Sequence, residues 1–423
     1  MKRDHLGTLQ RYIGVAMLLL VLVLSSTSPA NAYSVSVCVD WLPAFDDAST
    51  FVGDDWLTSS PTSVDARGIL VTVQDESGTA IHAGYASDIT GCTSHFEATG
   101  GRHQVTAWSI ARIHGNTLVL RPLNQPNSLY TTRWLDMEFR ADGYYDLNAG
   151  NSRMSRVMAT VTYAMFRDDL GITGQTIQMY RKASAADEPC AGTSCNTGGE
   201  IYLLAESNGV DHTKFKYVIA HEFGHRMMNL AGGISSLPFS YDAPGAGACP
   251  GGPGHSRTSV EWQSAAVLEG YAHYYATIVF NTVGGVGCGS YSHVDLDWDN
   301  DGVLDGNVYA CDDAPVNGLG LSDSDYLGNA CGSSLGAGTA NEFDYQRFFW
   351  DLSDKQPPPG SLSLLPRDIA SVIGTASRNP DWNTTYDGSY PGSIDNPRNR
   401  LYDAASGFGT TWDVQDDVNG VAR

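Results

Sequence analysis

Apolar and polar positions alternate in short runs from Tyr33 to about Pro122, and Gly, Asp and Ser break the runs. The pattern is clearest in "GILVTVQDESGTAI" (68–81) and "HQVTAWSIARIHGNTLVLRPL" (103–123), where Val, Ile and Thr recur at every second position. A period of two sends alternate side chains to opposite faces of a strand, so residues 33–123 predict a small all-β sandwich domain. Its expected role is that of an accessory or binding module, with a folding pro-segment as the alternative. No His, Asp and Glu cluster at ligand spacing stands out within it.

"LNQPNS" (123–128) and "RADGYYDLNAGN" (140–151) are rich in Asn, Gly and Asp and bracket a connection, which predicts a linker over 124–149. The period then lengthens. Residues 152–170 and 213–230 carry apolar positions three and four apart, the mark of amphipathic helices, and Asp211 or Thr213 is the expected cap of the second. "QTIQMYRKA" (175–183) and "GGEIYLLAES" (198–207) lie between them and read as strands. Two further helices are expected at 258–280 and 341–354, the latter with Phe343, Phe348, Phe349 and Trp350 as core. Helices and strands in this order make an α+β domain over 150–423.

The first 32 residues change the picture of where this domain works. Lys2, Arg3 and Arg11 precede or flank the apolar "YIGVAMLLLVLVL", and "SPANA" offers a small-residue cleavage site after Ala32, the layout of a secretory signal peptide. The apolar stretch is shorter than the roughly 20 residues of a membrane-spanning helix, and no second one follows, so no integral membrane segment is expected in the mature chain. A secreted, extracellular or periplasmic protein results. Its eight cysteines are then expected in disulfides, paired by proximity as Cys38–Cys92, Cys190–Cys195, Cys249–Cys288 and Cys311–Cys331. No C-x-x-C pair points to a cysteine metal site. With 47 acidic against 25 basic residues the formal charge is −22, which makes nucleic acid an unsuitable partner and suits calcium binding.

The chemistry concentrates in "VIAHEFGHRMMNLAGG" (218–233). Residues four apart share a helix face, so His221 and His225 present two imidazoles that one tetrahedral zinc ion accepts. Glu222 points about 100° away around the helix, unsuited to be a third ligand but placed to take a proton from a zinc-activated water. On these residues, segment 150–280 resembles the HExxH zinc metallopeptidases, the zincins. The resemblance implies a zincin-like catalytic domain in which the strand before the motif helix, here "GEIYLLAES" (199–207), holds an extended protein or peptide substrate by its backbone.

A catalytic zinc takes three protein ligands. The metzincin arrangement needs glycine at 228 and histidine at 231, where this chain has Met228 and Ala231. "LEGYAHYYA" (268–276) is similar to the third-ligand helix of the gluzincins, the thermolysin-type enzymes, which assigns Glu269. The other carboxylate on that helix, Glu261, is expected in a capping box with Thr258. Where thermolysin-like enzymes carry an aspartate four residues after the glutamate, this chain has His273, leaving open a replacement partner for a zinc-bound histidine, a donor to the reaction intermediate, a fourth ligand or a structural histidine. Tyr271, Tyr274, Tyr275, Tyr345 and Arg347 are further candidate donors.

A second constellation lies in "DLDWDNDGVLDG" (295–306). Asp297, Asp299, Asp301, the Val303 carbonyl and Asp305 stand at EF-hand-like spacing with Gly302 at the turn, and Val308 replaces the usual bidentate glutamate. Calcium is expected there, with Asp295 or another acid filling the gap. Together these residues predict a secreted zinc-dependent endopeptidase with Glu222 as general base. The alternatives are an exported adhesion or binding protein with a vestigial zincin domain, or a zinc hydrolase of a non-peptide substrate.

Overall fold

The computed structural model describes residues 32–45, 63–168, 171–184, 186–190, 193–204, 211–234, 261–280, 289–291, 308–310, 339–340, 342–353, 364–378 and 401. Residues 1–31 of the expected leader, the acidic loop 295–306 and Cys249, Cys288, Cys311 and Cys331 lie outside them, as do Thr258 and the side chain of Arg347.

The N-terminal part consists of strands β1 (Ala32–Trp41), β2 (Val64–Asp65), β3 (Ile69–Asp75), β4 (Ala80–Tyr85), β5 (Phe96–Thr99), β6 (Arg102–Ile113), β7 (Asn116–Pro122), β8 (Thr131–Glu138) and β9 (Gly143–Asn148). The period-two pattern is realised directly: Ile69, Val71 and Val73 of β3 face the core, while Leu70 and Thr72 are only partly buried. β1 pairs antiparallel with β2 and β5, and parallel with β9. The Cys38–Cys92 disulfide closes on this small sheet, where the two residues also form an isolated bridge.

The remaining elements are α1 (Arg153–Arg167), β10 (Thr176–Lys182), β11 (Cys195–Thr197), β12 (Glu200–Leu204), α2 (Lys216–Gly232), β13 (Glu261–Trp262), α3 (Gln263–Ile278), β14 (Gly289–Tyr291), β15 (Val308–Ala310), β16 (Thr339–Ala340), α4 (Glu342–Ser353) and α5 (Pro366–Ser377). The chain is therefore mixed α and β.

The organisation departs from the expected separate sandwich and linker. Among the described residues, one sheet runs β11-β12-β10-β7-β6-β3-β4, with β8 also on β6. β7 pairs in parallel with β10 in the register Thr117↔Thr176 to Pro122↔Arg181, so the sheet crosses the boundary expected between them. The segment read as a linker supplies β8 and β9. β6 explains how both β7 and β8 fit: its first half, Arg102–Trp108, pairs with β8, and its end, Ile110–Ile113, with β7. The short Asn- and Gly-containing stretches there are turns between strands, and composition alone does not distinguish a turn from a linker.

A single core joins the parts. Val71, Val105, Leu118, Ile177 and Ile201 of the sheet belong to the same apolar cluster as Val157 and Val161 of α1 and Phe223 of α2. α1 is buried on nearly its whole circumference, from Met154 to Met165, as a helix enclosed by other elements must be. Its hydroxyls stay satisfied inside the helix: Thr160 donates to the Arg156 carbonyl and Thr162 to that of Met158.

Candidate metal centre

α2 carries the paired histidines, and its entry is held electrostatically. The Asp211 carboxylate accepts from Arg153 Nε at 2.7 Å and lies 3.6 Å from Arg156 Nη2, tying α1 to the approach to α2. Burial would raise its pKa, but hydrogen bonds from Arg153 and Thr213 overcome this and hold it below its usual value. Asp211 caps a 3-10 turn, His212–Lys214, and not the helix itself; Phe215 is the residue at the start of α2. The other end is closed by Gly233, whose positive φ of 64° returns its N–H to the Asn229 and Leu230 carbonyls.

α3 brings Glu269 against these histidines. Glu269 Oε2 lies 3.1 Å from His221 Nε2 and 3.1 Å from His225 Nε2, and one ligand atom from each of the three side chains lies within 4.8 Å of the others. Donors about 2.0–2.2 Å from a tetrahedral ion stand roughly 3.4 Å apart, so the spacing suits one metal ion. The donor set suits it as well. Burial, reinforced by the neighbouring His273, lowers the His221 pKa to about 3, which keeps its imidazole neutral, the form that ligates. His221 is 9 % exposed and Glu269 4 %.

Gly224 permits this approach of α3 to α2, and Gly270 the packing of α4 on α3. A Cβ at Gly224, inside the motif, would come within 3.0 Å of Tyr275 Cβ and 3.2 Å of Ala272 Cα on α3. A Cβ at Gly270, beside Glu269, would come within 2.5 Å of Tyr345 Cβ and 2.8 Å of the Glu342 carbonyl on α4. α3 therefore lies close against α2 on one side and against α4 on the other, with no room for a side chain at either glycine.

Glu222 is 7 % exposed on α2 and stands outside the three-residue group. Glu261 is not in a helix-capping position: it lies in β13, which pairs with β16, and α3 begins two residues later. The tyrosine candidates are core residues. The Tyr271 hydroxyl donates to the Pro366 carbonyl at 3.0 Å, that of Tyr274 meets Ser353 Oγ, and Tyr275 and Tyr345 are fully buried. Burial pushes the hydroxyls of Tyr271 and Tyr275 well above their usual pKa.

His273 is the candidate the structure brings to the cluster. Its ring centroid lies 4.3 Å from that of His221, its Nδ1 is 3.1 Å from the Tyr217 hydroxyl, and its Nε2 is 2.8 Å from Glu342 Oε2. The sequence reading missed Tyr217 and Glu342. Tyr217 had a legible signal, because it precedes His221 by one helical turn; Glu342 had a weaker one, as an acid on the same face as Tyr345 and Phe349.

The strand expected to bind substrate is covered. β11 pairs antiparallel with β12 at Cys195↔Tyr202 through Thr197↔Glu200, so β11 is the outer strand on that side among the described residues. It begins at the Cys190–Cys195 disulfide. Buried Lys182 anchors the preceding loop, donating to the carbonyls of Pro189 at 2.9 Å, Cys190 at 2.6 Å and Thr193 at 3.3 Å.

No known protein family matches the chain, and a comparison with curated proteins finds no match. Among the described residues no helix is long and apolar enough to cross a membrane.

Proposed function

We propose that the protein is a secreted zinc-dependent endopeptidase of gluzincin type, with His221, His225 and Glu269 as the metal ligands. The convergence of those three side chains from two helices on one point is the observation that carries this reading. A buried carboxylate facing one buried and one partly buried imidazole is costly without a cation, and a divalent ion removes that cost. Zinc held there would supply Lewis acidity and a water of near-neutral pKa.

The protein's own groups do the rest. Glu222, adjacent to His221 in sequence, is the general base: its carboxylate takes the proton of the attacking water and passes it to the leaving amine. An extended substrate pairs with the outer edge of β11, which takes over the role first assigned to β12. The two disulfides support an oxidising compartment, consistent with export after a leader ending near Ala32. The acidic residues Asp297, Asp299, Asp301 and Asp305, with the Val303 carbonyl, are proposed to hold calcium.

Metal analysis of the purified chain, together with cleavage of an unfolded protein, tests the reading. Stoichiometric zinc and cleavage abolished by a chelator are expected, as is Glu222→Gln that keeps the metal and loses activity. Zinc without cleavage of any peptide would favour a non-peptide hydrolase or a vestigial domain, and retained zinc in Glu269→Ala would remove that residue from the ligand set.

A further inference from the structure

Behind the metal ligands lies a hydrogen-bonded chain drawn from three helices. Gln346 Nε2 of α4 is 3.5 Å from the Tyr217 hydroxyl of α2, that hydroxyl is 3.1 Å from His273 Nδ1 of α3, and His273 Nε2 is 2.8 Å from Glu342 Oε2. A carboxylate accepts, so Nε2 of His273 carries the proton and Nδ1 is left as an acceptor; the Tyr217 hydroxyl, which accepts from the Gln346 amide, has that Nδ1 at 3.1 Å and the His273 carbonyl at 3.3 Å as acceptors. Both nitrogens of His273 are engaged, which argues against a role as a fourth ligand.

His221 is held differently from most ligating histidines, whose second ring nitrogen donates to a carboxylate, carbonyl or water. Its Nδ1 has no hydrogen-bond partner among the described residues. The ring is oriented by packing instead: His273 lies against it at 47°, and His225 meets it edge-on at 86° with centroids 4.8 Å apart. Whatever fixes His273 therefore fixes the direction in which His221 Nε2 points.

We propose that Glu342, acting through His273, is the positioning carboxylate of the metal centre. It lies 69 residues along the chain from His273 and is 1 % exposed. In this arrangement the pair Glu342–His273 does the work of the aspartate that the zincin resemblance led one to expect at position 273. The hydrogen bond to Glu342 and the one from Tyr217 clamp the His273 ring at both ends, and the clamped ring is the wall against which His221 is aimed at Glu269. The inference rests on the metal reading proposed above.

The test uses the full mature chain and two readouts independent of activity: zinc affinity by chelator competition, and the visible absorption spectrum of the cobalt(II)-substituted protein. Glu342→Gln keeps the side chain's shape and removes its charge; a fall in zinc affinity of about 10–100-fold with altered cobalt bands is expected. Tyr217→Phe, which leaves the ring and takes only the hydroxyl from Nδ1, should produce a smaller change in the same direction. Wild-type affinity and an unchanged cobalt spectrum in both variants would overturn the proposal. Should Glu342→Gln fail to fold, as judged by circular dichroism, Tyr217→Phe decides alone on the same criteria. A wild-type chain that takes up no zinc overturns the metal reading and this inference together, whereas zinc-loaded wild type with unaffected variants overturns only the inference.

Discussion

Gly270→Ala should loosen the metal centre without altering any ligand. The added methyl would sit 2.5 Å from Tyr345 Cβ, 2.8 Å from the Glu342 carbonyl and 3.1 Å from the Gln346 backbone nitrogen. Carbon contacts settle near 3.5–4.0 Å, so α3 and α4 must part by about 1 Å here. Two of the three obstructing atoms belong to the backbone, and the third is a Cβ, so no side-chain rotation relieves the clash. Such overpacking costs about 1–3 kcal/mol, of which the better helix propensity of alanine returns up to about 1 kcal/mol. Glu269 is the adjacent residue and Glu342 itself contributes a clashing atom, so the shift moves both carboxylates relative to the histidines. Zinc affinity should fall by about tenfold or more. Urea unfolding of the metal-free chain and chelator competition measure the two effects, with Ser371→Ala on the exposed face of α5 as the control. Stability within about 0.5 kcal/mol of wild type and undiminished zinc affinity would show that backbone contact between α3 and α4 does not set the cluster.

Asp211→Asn removes the carboxylate that faces Arg153 and the buried Arg156 and should cost about 3–5 kcal/mol in chemical denaturation. Because the folded pKa of Asp211 lies below the unfolded value of about 3.9, its contribution is present above that pH and lost as pH falls through the lower folded value; the variant's unfolding free energy should decline less steeply between pH 5 and pH 3, taken as rough limits. Lys182→Met should cost about 1–3 kcal/mol, since three carbonyls lose one ammonium, and should raise amide exchange around 186–194 while zinc affinity holds. Unchanged exchange there would show that the loop is held by other contacts. For the acidic loop, calorimetric titration with calcium should give a binding signal that Asp299→Asn weakens; an equal signal in both would place the calcium elsewhere.

Periodicity located the elements well because it records burial, and burial repeats with the geometry of the backbone. The helices expected at 152–170, 213–230 and 341–354 occur at Arg153–Arg167, Lys216–Gly232 and Glu342–Ser353. Their ends were harder to read. Asp211 has the chemistry of a helix cap, yet a 3-10 turn uses it, and Glu261 has the chemistry of a capping box, yet a strand pairing takes that residue. In each case a local preference was real but a tertiary contact chose which element it served.

His221 and His225 are neighbours by the pitch of one helix, so four residues of spacing suffice to determine that they face the same way. Glu269 was legible as an acid among apolar residues, where burial demands a counter-charge, although only the fold shows which one it meets. The parallel pairing of β7 with β10, and the reach of Glu342 to His273, are decided by tertiary structure alone. Strand alternation and helical spacing state that a face will be buried, but the partner that buries it lies far along the chain and leaves no mark on the local pattern.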